Sequence, residues 1–220
     1  MKKPYKIKEI FYTLQGEGAH SGRPAVFCRF SKCNLWNGRE VDRAESICNF
    51  CDTDILGTDG LNGGEYSTAD DLASKVNSLW PDVMGKPFVV CTGGEPAIQM
   101  DAVLVESFHQ FGFEVAVETN GTLPLPDGID WICCSPKGAS KIVVNKCNEL
   151  KLVFPQKDAM PEDFLHIKAD YFYLTPMASP SAKEFIYPNQ DDATRKAVKF
   201  CLNNPKWRLN LQTHKVLNID

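Results

Sequence analysis

The sequence predicts an α/β fold in which about six parallel strands and three main helices form an incomplete or compressed barrel. Two observations favour this fold class. Short apolar segments recur along the chain, and each ends in a polar cluster that usually carries glycine or proline. Between some of these segments lie stretches with helical periodicity, which is the order expected when helices join parallel strands.

The predicted strands begin with an alternating segment at 6–18, which is expected to lie outside the core of the sheet. The core strands are predicted among the segments 24–30, 88–91, 114–117, 131–134, 149–154, 171–174 and 207–211. The glycine-rich segment 57–64 is predicted to have no regular structure.

Three helices are predicted, at 67–80, at about 100–111 and near 192–202, because apolar residues share one face in each. The first has a capping-box-like start at Ser67 and Asp70 and is stopped by Pro81. Because only these three helices are convincing, several connections between strands are expected to be short or irregular. That shortage is the reason for expecting an incomplete barrel.

A chain of 220 residues suits a single domain spanning 1–220. No apolar run approaches membrane-spanning length, and the Lys-Lys start is followed by no apolar signal-peptide core, so a cytoplasmic protein without membrane contact is expected. The net charge of -4 provides no basic surface for nucleic acid. The expected substrate is therefore a small, free molecule.

Eight of the nine cysteines fall into two groups. Five lie inside apolar runs and are predicted to be small core residues, namely Cys28, Cys91, Cys133, Cys134 and Cys201. Cys33, Cys48 and Cys51 instead have the spacing Cys-x14-Cys-x2-Cys in one loop after the first core strand. Three thiolates on a four-iron cluster leave one iron free to hold a small molecule. A zinc site completed by His20 or Cys147 is the alternative, because structural zinc takes four ligands.

The polar clusters at strand ends are the candidate binding residues, because the carboxyl ends of parallel strands converge on one mouth. The two glycines of the segment 92–96 (TGGEP) allow a ligand to approach the backbone, although such a pair often only turns the chain. Ser135 and Lys137 offer a hydroxyl and a cation that suit a ribose or a carboxylate, or they belong to a surface turn.

Four further features indicate a substrate site. The loop Gln15-Gly16-Glu17 combines an amide, bare backbone and a carboxylate. Arg29, within an apolar strand, needs an anion, which is either a substrate carboxylate or an internal salt-bridge partner. Glu118 either faces a ligand or caps a turn. His214 follows the last strand, so the C-terminal tail is expected to close over the mouth.

The motifs LQGEG, CNL, CNFCDT, TGGEP, ETNG, SPK, NELK and QTHK, taken together, resemble those of the 7-carboxy-7-deazaguanine synthases, a family of radical S-adenosylmethionine enzymes. The resemblance extends from Lys8 to the C-terminus. The superfamily spacing is Cys-x3-Cys-x2-Cys, and the insert at about 36–47 resembles the expanded loop found in a subset of these synthases. The family implies a TIM-like radical SAM barrel with the cluster loop after the first core strand.

The resemblance implies an enzyme that converts 6-carboxy-5,6,7,8-tetrahydropterin to 7-carboxy-7-deazaguanine with loss of ammonia, on the route to queuosine and other 7-deazapurines. It implies a 4Fe-4S cluster, S-adenosyl-L-methionine (SAM) and Mg2+ as cofactors. It also implies an external electron donor of the flavodoxin or ferredoxin type and a homodimer. A small radical SAM activase of a partner protein and a non-catalytic zinc-binding scaffold are the alternatives.

The resemblance also implies roles for individual residues. The cluster ligands would be Cys33, Cys48 and Cys51, and the magnesium ligand would be Thr53, which is otherwise an ordinary turn residue. The SAM-binding residues would be Gly94, Glu95, Ser135, Pro136, Lys137, Thr175, Pro176, Met177 and Ala178. The substrate-binding residues would be Leu14, Gln15, Gly16, Glu17, Arg29, Thr92, Glu118, His214 and Asp220. For Asp220 the implied group is the main-chain carboxylate, and a solvated tail is the alternative.

Overall fold

The computed structural model describes residues 3–82, 84–178 and 192–219. The strands are β1 (Tyr5–Leu14), β2 (Pro24–Phe30), β3 (Gly64–Tyr66), β4 (Phe88–Gly93), β5 (Glu114–Thr119), β6 (Trp131–Cys134), β7 (Lys146–Phe154), β8 (Lys168–Pro176) and β9 (Trp207–Leu209). They form one nine-stranded sheet with the order β3-β1-β2-β4-β5-β6-β7-β8-β9.

Seven neighbouring strands of this sheet, β2 and β4 to β9, run parallel to one another. β1 pairs antiparallel with β2, and β3 pairs antiparallel with β1. The α/β class and the largely parallel sheet are therefore confirmed, with one parallel strand more than expected. β3 begins at the end of the segment predicted to be irregular, because three residues are too few to show alternation.

The α-helices are α1 (Ala69–Asn77), α2 (Ala102–Gln110), α3 (Asp192–Asn203) and α4 (Thr213–Leu217), with 3-10 turns at 18–20, 40–45, 96–98 and 161–164. The three predicted helices are confirmed, and α4 adds a short turn in the tail. The start predicted for α1 is wrong by one residue, because Thr68 is the N-cap and accepts a hydrogen bond from Asp71 N at 3.1 Å. None of the helices within the described residues is long and apolar enough to cross a membrane.

The connections between parallel strands explain the shortage of helices. α1, α2 and α3 each lie between two parallel neighbours, whereas the connections at 120–130 and 135–145, both fully described, contain no helix. The connection at 155–167 contains only a 3-10 turn. The prediction that several connections are short or irregular is confirmed.

The strand order has two ends, β3 and β9, so hydrogen bonds between the described strands do not close the sheet. The predicted barrel is not established by this order. The sheet nevertheless curves, because the segment after β9 reaches the loop after β1. Thr213 N donates to Gly16 O at 3.0 Å, and Gly18 N donates to the side chain of Asn210 at 2.8 Å.

The sheet buries apolar side chains on both faces, which explains why its central strands are apolar without interruption. On one face, α1 and α2 cover a large cluster that includes Val89, Leu104 and Phe108. α3 contributes to a second cluster with β7 and β8, and a smaller cluster around Phe88 and Val90 fills the other face of β4. Of the five cysteines predicted to lie in the core, four are buried and Cys201 is partly buried.

The glycine pair at the end of β4 packs against the chain that leads into the cysteine loop. A Cβ atom on Gly94 would collide with the carbonyl of Lys32 and the backbone N of Cys33. Gly94 N donates to Phe30 O at 2.9 Å, and Glu95 N donates to Lys32 O at 2.8 Å. Close packing of two backbones therefore requires glycine here.

We predict that Gly94→Ala lowers the free energy of unfolding by about 2 kcal/mol or more, because the collision is with backbone that cannot move aside cheaply. Gly64→Ala in β3 is the matched control, since its Cβ would meet only a Tyr66 ring carbon at an ordinary 3.7 Å. Urea-induced unfolding followed by tryptophan fluorescence measures both changes. Equal stability of the two variants would contradict this account of the glycine.

Candidate active site

Two adjoining pockets open at the carboxyl ends of the parallel strands. The first, which we name the cysteine pocket, is lined by Cys33, Cys48 and Cys51 together with the ends of β4 to β8. The second, the carboxylate pocket, is lined by Glu9 and Arg29 among others. The residues that line both pockets are Glu17, Asp52, Thr53, Thr92, Glu118, Lys151 and Gln212. The two pockets therefore share one wall.

The structure brings most of the predicted site residues to these pockets. The cysteine pocket is lined by the three cysteines and by Thr53, Gly94, Ser135, Lys137, Thr175, Pro176, Met177 and Ala178. The carboxylate pocket is lined by Leu14, Gln15, Gly16, Glu17, Arg29, Thr92, Glu118 and His214. Glu95 and Pro136 lie behind the lining residues, and Asp220 lies outside the described residues.

The three loop cysteines sit in a small apolar cluster with Leu35 and Trp36. Leu35 N donates to the sulfur of Cys33 at 3.4 Å. Burial raises the pKa of Cys33, and a hydrogen bond from the thiol of Cys48 lowers the pKa of Cys51 to about 6. The same hydrogen bond, together with burial, raises the pKa of Cys48, and the charge of Lys137 opposes that rise. Three thiols with a nearby cation suit an iron-sulfur cluster.

No group of three or more His, Cys, Asp or Glu within the described residues is arranged around a single metal ion. A cubane, by contrast, takes its thiolates on separate irons, so its ligands stand further apart. His20 packs its ring on Trp131, with centroids 4.2 Å apart, and Cys147 is buried in the core. Neither candidate for the fourth zinc ligand lines the cysteine pocket.

The Glu95 side chain organises the pocket wall from behind. It is fully buried and accepts hydrogen bonds from Ala97 N at 3.0 Å, the Thr119 hydroxyl at 2.8 Å and Asn120 N at 2.7 Å. The side chain of Asn120 in turn donates to Asn34 at 2.9 Å, next to Cys33. The carboxylate of Glu95 is thus engaged with protein donors, and its burial raises its pKa.

The predicted SAM segments 135–137 and 175–178 form part of the far wall of the cysteine pocket. Lys137 Nζ donates to Ser135 O at 2.8 Å and contacts its hydroxyl, so the two side chains form one polar unit. The Thr175 hydroxyl accepts a hydrogen bond from Asn210 at 2.8 Å. The contact fixes the end of β8 against the segment after β9.

The carboxylate pocket contains a buried ion triplet that we name the lysine triplet: Glu17, Lys151 and Glu118. Lys151 Nζ lies 2.8 Å from Glu17 and 2.9 Å from Glu118. Gln15 and Gln212 extend the network, since Gln15 Nε2 donates to Glu118 at 3.4 Å and Gln212 Nε2 donates to Glu17 at 2.8 Å. The predicted grouping of Gln15, Glu17 and Glu118 is therefore seen in space.

Arg29 forms the internal salt bridge that was one of its two expected roles. Its Nε donates to Glu9 at 2.7 Å, across the β1–β2 pair. Arg29 also lines the carboxylate pocket, and we find no hydrogen bond from its Nη atoms to the described residues. A guanidinium anchored at Nε in this way can still bind a carboxylate through its Nη atoms.

Gly16 and His214 pack directly on each other at the mouth of the carboxylate pocket. A Cβ atom on Gly16 would collide with the imidazole of His214, so only glycine fits beneath the ring. Burial lowers the pKa of His214. The tail thus covers the loop after β1, as expected from the sequence.

Thr53 lies on the shared wall of the two pockets, while its acidic neighbours point to lysines. Asp52 pairs with Lys215, and Asp54 pairs with Lys8 at 2.7 Å. Thr53 therefore lies between two carboxylates that are both engaged by lysines.

The chain matches no protein-family model. It is 53% identical over 215 residues to a 7-carboxy-7-deazaguanine synthase of Burkholderia multivorans, covering 98% of this chain and 99% of the relative. It is 48% identical to the enzyme of that name from Nitratidesulfovibrio vulgaris, over 98% of this chain and 99% of the relative. The chain belongs to the 7-carboxy-7-deazaguanine synthase family.

The fold agrees with membership in this synthase family. The structure is similar to a crystal structure of QueE from Escherichia coli, with a TM-score of 0.65 and 26% sequence identity. The match covers 94% of this chain and 93% of that one. The likeness therefore extends over nearly the full length of both chains.

The insert at 36–47 braces the cluster loop of this family member. Arg43 Nη1 donates to the carbonyl of Cys51 at 2.8 Å and to that of Asn49 at 3.2 Å. Its guanidinium stacks over the Trp36 ring at 4.2 Å and is held by the carboxylate of Glu40. The insert thus supplies a cation that fixes the loop carrying two of the three cysteines.

Sequence reasoning missed three polar residues that line the pockets: Lys151, Asn120 and Gln212. Lys151 carried a signal, because a lysine in the middle of the apolar segment 149–154 must find an anion. Asn120 lies in the ETNG motif, and Gln212 lies in QTHK. Their partners lie far away along the chain, so nothing local indicated their roles.

We predict that Arg43→Gln releases iron to a chelator about tenfold faster than the parent protein, because two charge-assisted bonds to the cluster loop are lost. Arg39→Gln is the control, since the Arg39 side chain is exposed in the same insert. Loss of the iron-sulfur absorption after chelator addition gives both rates. Equal rates for Arg43→Gln and the parent protein would remove the arginine from this role.

Proposed function

We propose that this protein is a radical SAM enzyme that converts 6-carboxy-5,6,7,8-tetrahydropterin to 7-carboxy-7-deazaguanine with loss of ammonia. One observation carries the proposal. A pocket with three cysteines shares a wall with a pocket of carboxylates and an arginine, in a chain that is 53% identical along its length to a named synthase. We further propose that the product serves the route to queuosine and other 7-deazapurines.

Cys33, Cys48 and Cys51 would hold a 4Fe-4S cluster, and the donor set fits it: three thiols in one pocket with a low thiol pKa at Cys51. When bound, the cluster and SAM supply the radical chemistry that removes a hydrogen atom from the substrate. Gly94, Ser135, Lys137 and the segment 175–178 would bind the SAM groups. Glu95 and Pro136 would contribute to SAM binding through their backbone atoms or by supporting the residues that line the cysteine pocket.

The substrate residues would act by hydrogen bonding and charge. Glu17 and Glu118 would accept hydrogen bonds from the pterin amine and ring N–H, which are donors. Arg29 would bind the substrate carboxylate through its Nη atoms. His214 and the tail would cover the mouth, which excludes water and holds the target carbon in a fixed position.

The remaining assignments belong to the same proposal. Thr53 would provide the protein oxygen that holds Mg2+, and the ion would supply charge stabilisation near the substrate. Asp220 would also contribute to binding the pterin. Residues 1–220 would form one radical SAM domain whose curved sheet acts as an incomplete barrel. The protein would work as a cytoplasmic homodimer with a flavodoxin- or ferredoxin-type reductant.

We predict that anaerobic reconstitution with iron and sulfide yields a brown protein that forms 7-carboxy-7-deazaguanine from the pterin, SAM, Mg2+ and dithionite. Cys51→Ala should abolish both iron binding and product, because no spare protein ligand is available. Cys201→Ala, on α3, is the control and should retain both. Mass spectrometry of the product and the visible spectrum are the measurements.

Three results would overturn the proposal. Loss of the metal in Cys147→Ala, as complete as in Cys51→Ala, would indicate four protein ligands. A colourless protein that is indifferent to oxygen would favour the zinc scaffold. Cleavage of SAM without conversion of the pterin, but with a glycyl radical on another protein, would favour an activase.

We predict that Thr53→Ala keeps the brown cluster and the uncoupled cleavage of SAM but loses most of the stimulation of product formation by magnesium. The reason is that the hydroxyl would order the ion against substrate oxygens and would not act on the cluster. Initial rates across a magnesium titration give the dependence for both proteins. Superimposable titrations would withdraw Thr53 as the ligand.

A further inference from the structure

Lys151 is a buried cation at a position where the fold does not require a charge. Its side chain is 9% exposed and projects from the centre of β7 into the wall shared by the two pockets. Burying an ammonium group costs several kcal/mol, and the pair with a carboxylate only partly offsets that cost. An apolar residue would fill the same position in the sheet more cheaply. The position of Lys151 therefore points to a role in the pocket.

Three carboxylates surround this one lysine: Glu17, Glu118 and Glu149. Glu149 is held independently, because Trp131 Nε1 donates to it at 2.6 Å and Ala19 N donates to it at 2.9 Å. Lys151 contacts the other two at 2.8 and 2.9 Å. Its charge is thus directed to the two carboxylates that line the pockets.

Both carboxylates keep capacity for a ligand. Lys151 binds Oε2 of Glu17, while Gln212 donates to Oε1. Glu118 accepts from Lys151 at both of its oxygens, at 2.9 and 3.1 Å, from the Cys133 thiol and, at 3.4 Å, from Gln15. Each ionised carboxylate has about four lone-pair sites, so sites remain on Glu17, and on Glu118 the long contact from Gln15 is the one that an N–H donor in the pocket can replace.

We infer that Lys151 is a positioning residue that holds Glu17 and Glu118 as a fixed pair of anionic acceptors, and so selects a flat heterocycle with adjacent N–H groups. The inference rests on the proposed function for the identity of the heterocycle, a pterin. The lysine acts through the two glutamates, and its role is in recognition of the substrate.

The protonation state of Glu17 makes the role of Lys151 measurable, because it changes how pterin binding depends on pH. Burial raises the pKa of Glu17, but the charge of Lys151 and the hydrogen bonds from Lys151 and Gln212 lower it to about 2. Without the lysine charge, burial remains, so the pKa of Glu17 rises. The carboxyl then becomes protonated as the pH falls, and one of its oxygens changes from acceptor to donor. Pterin binding should therefore weaken toward acidic pH only when the lysine charge is absent.

Among the residues that the structure describes, no other group replaces that charge. The remaining titratable groups that face Lys151 and Glu17 are Glu118, Glu149, Cys133 and His214. Burial raises the pKa of Glu149 and Cys133 and lowers that of His214, which favours the neutral form of each. Asp52 and Lys215, which face His214, are paired with each other.

The test compares Lys151→Met and Lys151→Arg with Lys146→Gln, a change at an exposed lysine on the same strand. Each reconstituted holoenzyme with SAM is titrated with fluorescent 6-carboxypterin between about pH 6 and pH 8, where a neutral-range carboxyl would titrate. Lys151→Met should weaken binding about tenfold or more, and increasingly as the pH falls. Lys151→Arg and Lys146→Gln should bind with the pH dependence of the parent protein.

Two outcomes would overturn the inference: parent-like binding by Lys151→Met across the range, or an equal loss at every pH. If Lys151→Met does not fold, Lys151→Gln takes its place, because it is neutral and can still donate hydrogen bonds. Failure of the parent protein to bind or convert any pterin would instead count against the proposed function. Normal conversion by the parent and by Lys151→Met would count against the lysine alone.

Discussion

The Glu95 carboxylate connects the chain segments that follow β4 and β5, next to the cysteine loop. It is fully buried and holds Ala97, Thr119 and Asn120, at the ends of β4 and β5, through three hydrogen bonds of 2.7 to 3.0 Å. Its own backbone N donates to Lys32 O, directly before Cys33. A buried carboxylate deprived of its donors would be strongly destabilising. The position of Cys33, the first cysteine of the loop, therefore depends on the ends of three neighbouring strands.

Charge divides the site into two functional halves. In the cysteine pocket, the charge of Lys137 opposes the rise in thiol pKa that burial causes at Cys48 and Cys51, which suits binding of iron. In the carboxylate pocket, the lysine triplet carries more negative than positive charge, which suits a ligand rich in N–H donors. Because seven residues line both pockets, ligands bound in the two pockets would lie against each other. This closeness is what hydrogen-atom transfer requires.

The sequence predicted those features of the site that depend on residues close together in the chain or on the order of the strands. The three-cysteine spacing, TGGEP and the strand-end positions predicted which residues meet at the mouth, because parallel topology brings strand ends together whatever the exact geometry. Features that depend on distant partners were not predictable. Arg29 pairs with Glu9 on the neighbouring strand. Lys151 pairs with Glu17 and Glu118, and both glutamates are far from Lys151 in the chain. The hydrophobic pattern of the sequence also could not predict whether the sheet closes into a barrel, because the curvature of a sheet depends on the twist of every strand.

The most direct test of this account is a crystal structure of the anaerobically reconstituted protein with SAM and the pterin, including an iron anomalous map. The account predicts a four-iron peak bound by Cys33, Cys48 and Cys51 only, with the pterin ring hydrogen-bonded to Glu17 and Glu118. A fourth protein ligand on the metal, or a pterin bound away from the lysine triplet, would contradict it.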